Sequence, residues 1–230
     1  MDDSAKAPAI VLSVDVGGSH VKCLTSAGGA PLRAVSGPDM TAEAMCAAVR
    51  TMMDGQAYDC VTIGYPGPVV HNRPIAEPHN LAAGWVGFDY AAALGKPVRI
   101  VNDALMQALG SYEGGRMLFL GLGTGLGAAM IVDGIAEPME LAHLPYKKGK
   151  TFEDYVSEAS RESRGNKAWR KAVFDVVERL TAALEPDYVV IGGGNVDHLK
   201  ELPPKCRRGE NDNAFAGGFR VWADTALTEE

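Results

Sequence analysis

A glycine-rich turn between two apolar runs, MLFLGLGTGLGAAMIVDG (residues 117–134), constrains the fold more than any other stretch of the chain. Within it, GTGLGA satisfies the G-x-G-x-x-G/A pattern of a dinucleotide-binding turn. Such a turn must open a helix, because the pyrophosphate binds at the helix N-terminus. Here the glycines are followed by an apolar run that ends at the Asp133-Gly134 turn, which predicts a strand. The stretch therefore excludes a Rossmann site and predicts a β-hairpin.

A second glycine turn, Gly17-Gly18-Ser19, follows a predicted strand over residues 10–16 and leads into a returning strand, again a hairpin. Glycine lacks a β-carbon, so the backbone of such a turn can approach a phosphate closely. Successive backbone N–H groups form an anion-binding nest, to which Thr124 adds a hydroxyl in the turn Gly123-Thr124-Gly125. One such turn is typical of an ordinary hairpin, but two, each after a strand, indicate two phosphate loops.

Two aspartates lie next to predicted turns or helix starts. Asp15 precedes the first glycine turn, where a carboxylate beside a phosphate requires a cation such as Mg²⁺ between them; the alternative is an Asx turn. Asp103 follows Asn102 at a predicted strand-to-helix junction, where an aspartate is also a common helix cap. Beside two phosphate loops, Asp103 is suited to orient a hydroxyl nucleophile and accept its proton.

The 230 residues, 47% of them apolar and 22% charged, suffice for one large domain or two small lobes. Both halves begin with a strand, a glycine turn and a returning strand, and continue with helix and strand. This plan predicts a duplicated two-lobe α/β protein with a cleft. The pattern also predicts helices over residues 40–53, from Asp103, over 151–184 with a break near Gly165-Asn166, and over 214–227, and strands over 97–102 and 187–192.

Composition excludes several classes of protein. The acidic, polar N-terminus and the lack of a long apolar run predict a cytoplasmic protein that does not bind a membrane. The net charge of −7 argues against nucleic-acid binding. Four scattered cysteines predict neither disulfides nor a zinc site. Only residues 141–210, with 13 basic and 11 acidic side chains, are net positive, which fits either a solvated helical face or a groove for a polyanion.

Six motifs in order resemble those of the ROK sugar kinases, members of the actin/hexokinase superfamily: DVGGSHVK (15–22), GYPGPV (64–69), NDA (102–104), GLGTGLGAAMIVDG (121–134), ELAH (140–143) and IGGGN (191–195). The resemblance implies an α/β fold of the two-lobe, actin-like ATPase (ribonuclease H-like) type with a hexose in the interlobe cleft. We expect an N-terminal lobe of residues 1–98 plus 214–230 and a C-terminal lobe of residues 99–213.

The resemblance also implies the site residues. Asp103 matches the catalytic base, and the sugar ligands would be Asn102 and Asp103, Glu140, and Asn80 in NLAAGW. The donor phosphates would bind Asp15, Gly17, Gly18, Ser19, Lys22, Gly123, Thr124, Gly125, Gly192, Gly193, Gly194 and Asn195, with Mg²⁺ at Asp15. The family's zinc cysteines are absent from LPYKKGKTFEDYVS, so no zinc is expected. His143 then contacts sugar or is structural, and Glu153 matches a second sugar glutamate.

The segments PYKKGKTFEDYV, GNKAW and IGGGN resemble the polyphosphate glucokinase branch of that family. This implies phosphoryl transfer from inorganic polyphosphate, ATP or both to the 6-hydroxyl of glucose. Basic side chains of the middle block would then line the track of the polymer; these are Lys147, Lys148, Lys150, Arg161, Arg164, Lys167, Arg170 and Lys171. The alternatives are a strictly ATP-dependent hexokinase for glucose or another hexose, and a non-catalytic sugar-binding protein. The family suggests a homodimer.

Overall fold

The computed structural model describes residues 9–210 and 212–223, which separate into two compact units between Val101 and Asn102. Each unit is built on a five-stranded mixed sheet. In both sheets the strands follow the same spatial order: counted along the chain within each sheet, the order is third, second, first, fourth and fifth. The repeated plan predicted from the sequence is therefore confirmed, although the two halves share no visible sequence repeat.

The first unit has the sheet order β3-β2-β1-β4-β7, with β2 antiparallel and β4 parallel to β1. The apolar faces of the strands and helices close a core around Tyr65 and Trp85. Its elements are β1 Val11–Val16, β2 His20–Thr25, β3 Leu32–Val35, α1 Ala42–Met52, β4 Cys60–Tyr65, the two-stranded ribbon β5 Val69–Val70 and β6 Arg73–Pro74, α2 Tyr90–Leu94, and β7 Val98–Asn102.

The second unit has the order β10-β9-β8-β11-β12, with β9 antiparallel and β11 parallel to β8. Its core includes Trp169, whose indole N–H donates to the carbonyl of Val156. Its elements are α3 Asp103–Ser111, β8 Arg116–Leu122, β9 Leu126–Val132, β10 Ile135–Met139, α4 Glu153–Val156, α5 Glu158–Leu184, β11 Tyr188–Gly192, β12 Cys206–Arg208 and α6 Asn213–Ala223. No helix within the described ranges is long and apolar enough to span a membrane.

The predicted helices are observed as α1, α3, the pair α4 and α5, and α6. The hydroxyl of Thr41 caps α1 by accepting a hydrogen bond from the N–H of Ala44. Helix α5 is interrupted at Gly165, whose φ of 78° and ψ of 157° are not helical. The predicted strand over 97–102 is β7, and the predicted strand over 187–192 is β11. Short edge elements such as β3, β12 and α2 were not predicted, because three to five residues carry too little periodicity.

Helix α6 packs on α3 through close backbone contact. A β-carbon at Gly217 would lie 1.7 Å from the carbonyl oxygen of Met106, and one at Gly110 would lie 1.8 Å from that of Asn213. This packing places residues 213–223 in the second unit, whereas the sequence suggested that residues 214–230 join the first lobe. Residues 224–230 lie outside the described part of the chain. The boundary after Val101 is three residues later than expected, because β7 completes the first sheet.

Candidate phosphate-binding and catalytic site

The glycine stretch 121–127 forms the predicted hairpin. Strands β8 and β9 pair up to Leu122 and Leu126, and the turn is closed by a hydrogen bond of 3.1 Å from the N–H of Gly123 to the carbonyl of Gly125. A β-carbon at Gly123 would have no other atom within 4 Å, so this side of the turn is open. As predicted, the glycines lead into a strand, β9, and not into the helix that a dinucleotide-binding turn requires.

The third glycine turn, residues 192–195, interlocks with this hairpin. Strand β11 ends at Gly192, which pairs with Gly121. Gly193 has a φ of 82°, and a β-carbon there would lie 2.4 Å from the carbonyl oxygen of Leu122, so only glycine fits. The buried Asn195 completes the joint, because its backbone N–H donates to Leu122 and its side-chain amide donates to the carbonyl of Gly123 at 3.1 Å.

Helix α5 begins at the same turn. The hydroxyl of Ser157 caps the helix, and the N–H of Glu158 donates to the carbonyl of Gly123 at 2.9 Å. One turn later, the Nε of Arg161 donates to the side-chain oxygen of Asn195 at 3.1 Å. The positive end of the helix dipole and a guanidinium therefore lie beside the two glycine turns, a combination that favours anions.

Glu153 lies against the hairpin turn. Its Oε2 accepts a hydrogen bond of 3.0 Å from the N–H of Leu126, and a β-carbon at Gly125 would lie 2.3 Å from the same oxygen. The first residue of α4 thus fixes the shape of the turn from outside. Sequence resemblance suggested that this glutamate binds sugar, whereas its observed contacts are with the backbone of the hairpin turn.

We expect Glu153→Ala to lower the free energy of unfolding by about 1–3 kcal/mol, because the N–H of Leu126 loses its acceptor. If the chain is a sugar kinase, as the resemblance implies, the variant should raise the KM for the phosphoryl donor more than the KM for sugar. Glu153→Gln keeps an acceptor oxygen and serves as the matched control, with both KM values near wild type. A raised KM for sugar with an unchanged donor KM would instead support direct sugar binding. Steady-state kinetics with each substrate varied, together with thermal unfolding, make this comparison.

Asp103 lies next to the same hairpin. Asn102 caps α3 by accepting from the N–H groups of Ala104 and Leu105, and Asp103 is the first helical residue, with its Oδ1 accepting from Ala104 N at 2.8 Å. A β-carbon at Gly127 would lie 2.8 Å from the β-carbon of Ala104. The start of α3 therefore packs on the strand that leaves the glycine turn, and this brings the predicted base and a predicted phosphate loop together.

Glu140 and His143 follow the edge strand beside this hairpin. Strand β10 pairs its last residue, Met139, with Ala128, so Glu140 emerges next to the glycine end of β9. The Nε2 of His143 lies 3.8 Å from a carboxylate oxygen of Glu140, and both side chains are about 70% exposed. Across residues 9–210 and 212–223, no three His, Cys, Asp or Glu side chains gather as a metal site would require.

In the first unit, Asp15 and Lys22 face each other across the β1–β2 pair. Their charged atoms are 3.7 Å apart. Burial raises the pKa of Asp15, and the nearby Lys22 ammonium opposes that rise. The following turn is held by its backbone, since Gly17 N–H donates to His20 and Ser36 N–H donates to Ser19. Gly18 and Ser19 are exposed.

Asn80 lies against this turn, and the loop that carries it depends on a residue that the sequence did not indicate. A β-carbon at Gly18 would lie 3.5 Å from that of Asn80. Three residues earlier, the Glu77 carboxylate accepts hydrogen bonds from Gly84, Trp85 and Val86. These three hydrogen bonds lower the pKa of Glu77, and the bond from Trp85 contributes most to the shift. A lone glutamate before a proline carries no sequence signal for this role.

Comparison with known proteins identifies the lineage. Residues 11–137, more than half of the chain, match the profile described as the ROK family. The chain belongs to the ROK family. It is 29% identical over 147 residues to a polyphosphate glucokinase of Mycobacterium tuberculosis, an alignment that covers 57% of this chain and 55% of that protein. A polyphosphate glucokinase of Mycobacterium leprae aligns at the same identity over 45% of its length. The chain thus matches about half the length of these curated relatives.

The similarity to solved structures covers nearly the whole chain. An inorganic polyphosphate/ATP-glucomannokinase from Arthrobacter sp. strain KM superimposes with a TM-score of 0.82 at 23% identity, covering 94% of this chain and 99% of that one. A ROK family glucokinase from Streptomyces griseus, in complex with glucose and AMPPNP, gives a TM-score of 0.72 at 15% identity, covering 92% and 98%. The predicted α/β fold of the actin-like ATPase type is confirmed.

Proposed function

We propose that this protein is a glucokinase that transfers a phosphoryl group from inorganic polyphosphate, ATP or both to the 6-hydroxyl of glucose. The observation that supports the proposal is the contact of Ala104 with Gly127, because Asp103 stands next to Ala104 at the start of α3 and Gly127 follows the turn Gly123–Gly125 on the hairpin. A hydroxyl acceptor at Asp103 and a phosphate at the turn are the two reactants of a kinase.

The reaction follows from these positions. The glucose O6 attacks the terminal phosphorus of the donor, its proton passes to a carboxylate oxygen of Asp103, and the bond from phosphorus to the departing phosphate oxygen breaks. Charge on the phosphoryl oxygens is stabilised by the N-terminus of α5 and by backbone N–H groups of the two glycine turns beside it, residues 123–125 and 192–195. Because such transition states are loose, positioning contributes more than basicity. Asn80, Asn102, Glu140 and His143 would bind the sugar hydroxyls.

The donor assignment rests on the relatives. The named relatives include polyphosphate glucokinases and a polyphosphate/ATP-glucomannokinase. Magnesium would reach the site with the donor phosphates, where it neutralises charge that develops on them, and Asp15 would hold it. Asp15 is a single carboxylate before an exposed backbone turn and is paired with Lys22 at 3.7 Å. Mg²⁺ takes one or two carboxylates together with phosphate oxygens, so Asp15 would exchange the ammonium for the ion.

Gly123→Ala tests whether phosphate binds at the turn. The added methyl group meets no protein atom within 4 Å, and the φ of Gly123 is outside the left-handed region. We therefore expect thermal unfolding within about 2 °C of wild type. If a phosphate binds there, the methyl group displaces it from the backbone N–H groups, and the donor KM should rise by about 10-fold or more. The KM for glucose should stay near wild type.

Gly125→Ala is the contrasting variant, because its methyl group would collide with the Glu153 carboxylate and so disturb stability as well as donor binding. If Gly123→Ala leaves the donor KM unchanged for both polyphosphate and ATP, phosphate does not bind at this turn and the proposed site is wrong.

A further inference from the structure

The basic residues of the middle block differ in their contacts. Four of them are held by the protein itself. Lys147 is paired with Asp175 at 2.9 Å, and Arg161 is bonded to Asn195. Arg164 stacks over the ring of Tyr155 at 3.9 Å. Arg170 donates from its Nε to the carbonyl of His198 at 2.5 Å and thereby ties α5 to the turn after the glycines.

Arg170 also lines, together with three lysines, an open cavity between α5 and the turn that follows residues 196–198. The cavity has a volume of about 380 Å³ and is lined by Lys167, Arg170, Lys171, Phe174, Lys200 and Glu201. The lining residues of α5 stand at positions i, i+3, i+4 and i+7, which is one face of a helix. Four cationic groups against one carboxylate leave the cavity strongly positive.

Its three lysines are available to a ligand. Lys167, Lys171 and Lys200 are exposed, and among residues 9–210 and 212–223 none of them forms an ion pair. Uncompensated like charges around one cavity repel each other, so the arrangement is stabilised by a ligand that carries several negative charges. The ammonium groups of the three lysines donate hydrogen bonds of the kind that phosphate oxygens accept.

The cavity is built on the same two segments as the glycine-turn site. Helix α5 bonds to Gly123 through the N–H of Glu158 and to Asn195 through Arg161, and beyond its break at Gly165 it bonds to His198 through Arg170. A ligand that reaches both places must be an extended anion, longer than the reacting phosphate alone.

We propose that this cavity is a second anion site that binds the distal phosphates of an inorganic polyphosphate chain, while the terminal phosphate binds at the glycine turns. The proposal rests on the proposed function, and it makes polymer length a determinant of donor affinity.

The test uses the triple variant Lys167→Gln, Lys171→Gln and Lys200→Gln, which removes the charges and keeps much of the side-chain length. The control triple Arg33→Gln, Arg73→Gln and Lys96→Gln removes the same charge from the first unit. Dissociation constants are measured by calorimetry for long-chain polyphosphate, for tripolyphosphate and for a single-stranded oligonucleotide, over a series of salt concentrations. Steady-state kinetics with polyphosphate and ATP accompany them.

For the cavity triple we expect the Kd of long-chain polyphosphate to rise by about tenfold. By analogy with single-stranded nucleic acids, the slope of log K against log salt should become flatter by about 2. Tripolyphosphate and ATP should bind as to wild type, and the control triple should differ little from it. Equal polyphosphate affinity in the two triples would overturn the proposal. So would an oligonucleotide that binds wild type as tightly as polyphosphate and loses affinity equally in the cavity triple.

Binding and catalysis separate the two proposals. If the cavity triple loses polyphosphate affinity but wild type phosphorylates no sugar, the second anion site stands and the proposed function fails. If wild type phosphorylates glucose from polyphosphate and the cavity triple does so with unchanged KM, the function stands and the second site fails.

Discussion

Replacement of Asp103 by asparagine is expected to lower kcat for glucose phosphorylation by about 10²–10⁴-fold, the usual contribution of a positioned general base. Asparagine keeps the side-chain oxygen that accepts from the N–H of Ala104 at 2.8 Å, so the start of α3 should be undisturbed. It cannot take the proton from the sugar hydroxyl. The glucose Kd should stay within about tenfold of wild type, because only an interaction of the transition state is removed.

Asp89→Asn is the matched control for this variant. Asp89 also stands at a helix start, where it caps α2 by accepting from Ala92 N at 2.9 Å, and asparagine caps equally well. Its kcat should equal that of wild type. The measurements are kcat with each donor and glucose binding by calorimetry. Undiminished turnover in Asp103→Asn would remove Asp103 from the role of base.

Gly217→Ala should be the most destabilising single-methyl change in the second unit. The new β-carbon would lie 1.7 Å from the carbonyl oxygen of Met106, a backbone atom that no side-chain rotation can move. Overpacking of this kind costs about 3 kcal/mol, and the better helix propensity of alanine offsets about 1 kcal/mol. We expect a net loss of about 2 kcal/mol, which lowers the thermal midpoint by about 4–8 °C.

Function should follow stability in this variant, because Met106 lies one helical turn from Asp103. A shift of α3 away from α6 displaces the carboxylate from the hairpin, so kcat should fall at temperatures where the protein is folded. Gly194→Ala is the control for stability, since its methyl group meets no atom within 4 Å. A thermal midpoint for Gly217→Ala equal to that of Gly194→Ala would contradict the observed packing of α6 on α3.

The hairpins could be predicted from the local sequence, because a glycine turn between two apolar runs leaves the backbone few other conformations. The break of α5 was predictable for the same reason, as Gly165 interrupts a long polar helix. The family could be inferred from six motifs that occur in the family's order. The hydrogen bonds that join the motifs were not predictable, because they connect residues far apart in the sequence. Asn195 and Gly123 are separated by 72 residues, and Glu153 and Leu126 by 27.

The position of the C-terminal helix shows a second limit. Its amphipathic pattern predicted a helix, but a pattern of apolar residues does not say which surface covers it. The partner was decided by two glycines, Gly110 and Gly217, that let two backbones meet. Similarly, charge alone grouped Lys147 with Lys167, whereas the structure pairs the first with Asp175 and leaves the second at the cavity.

The most direct test of the proposed activity is the product itself. The purified chain is incubated with glucose and Mg²⁺ and either polyphosphate or ATP, and glucose 6-phosphate is measured by ³¹P NMR, with Asp103→Asn as the blank. We predict that glucose 6-phosphate forms with at least one donor and that the blank forms about 10²–10⁴-fold less. Absence of sugar phosphate with both donors, in a sample shown to be folded, would contradict the proposal that this protein is a glucokinase.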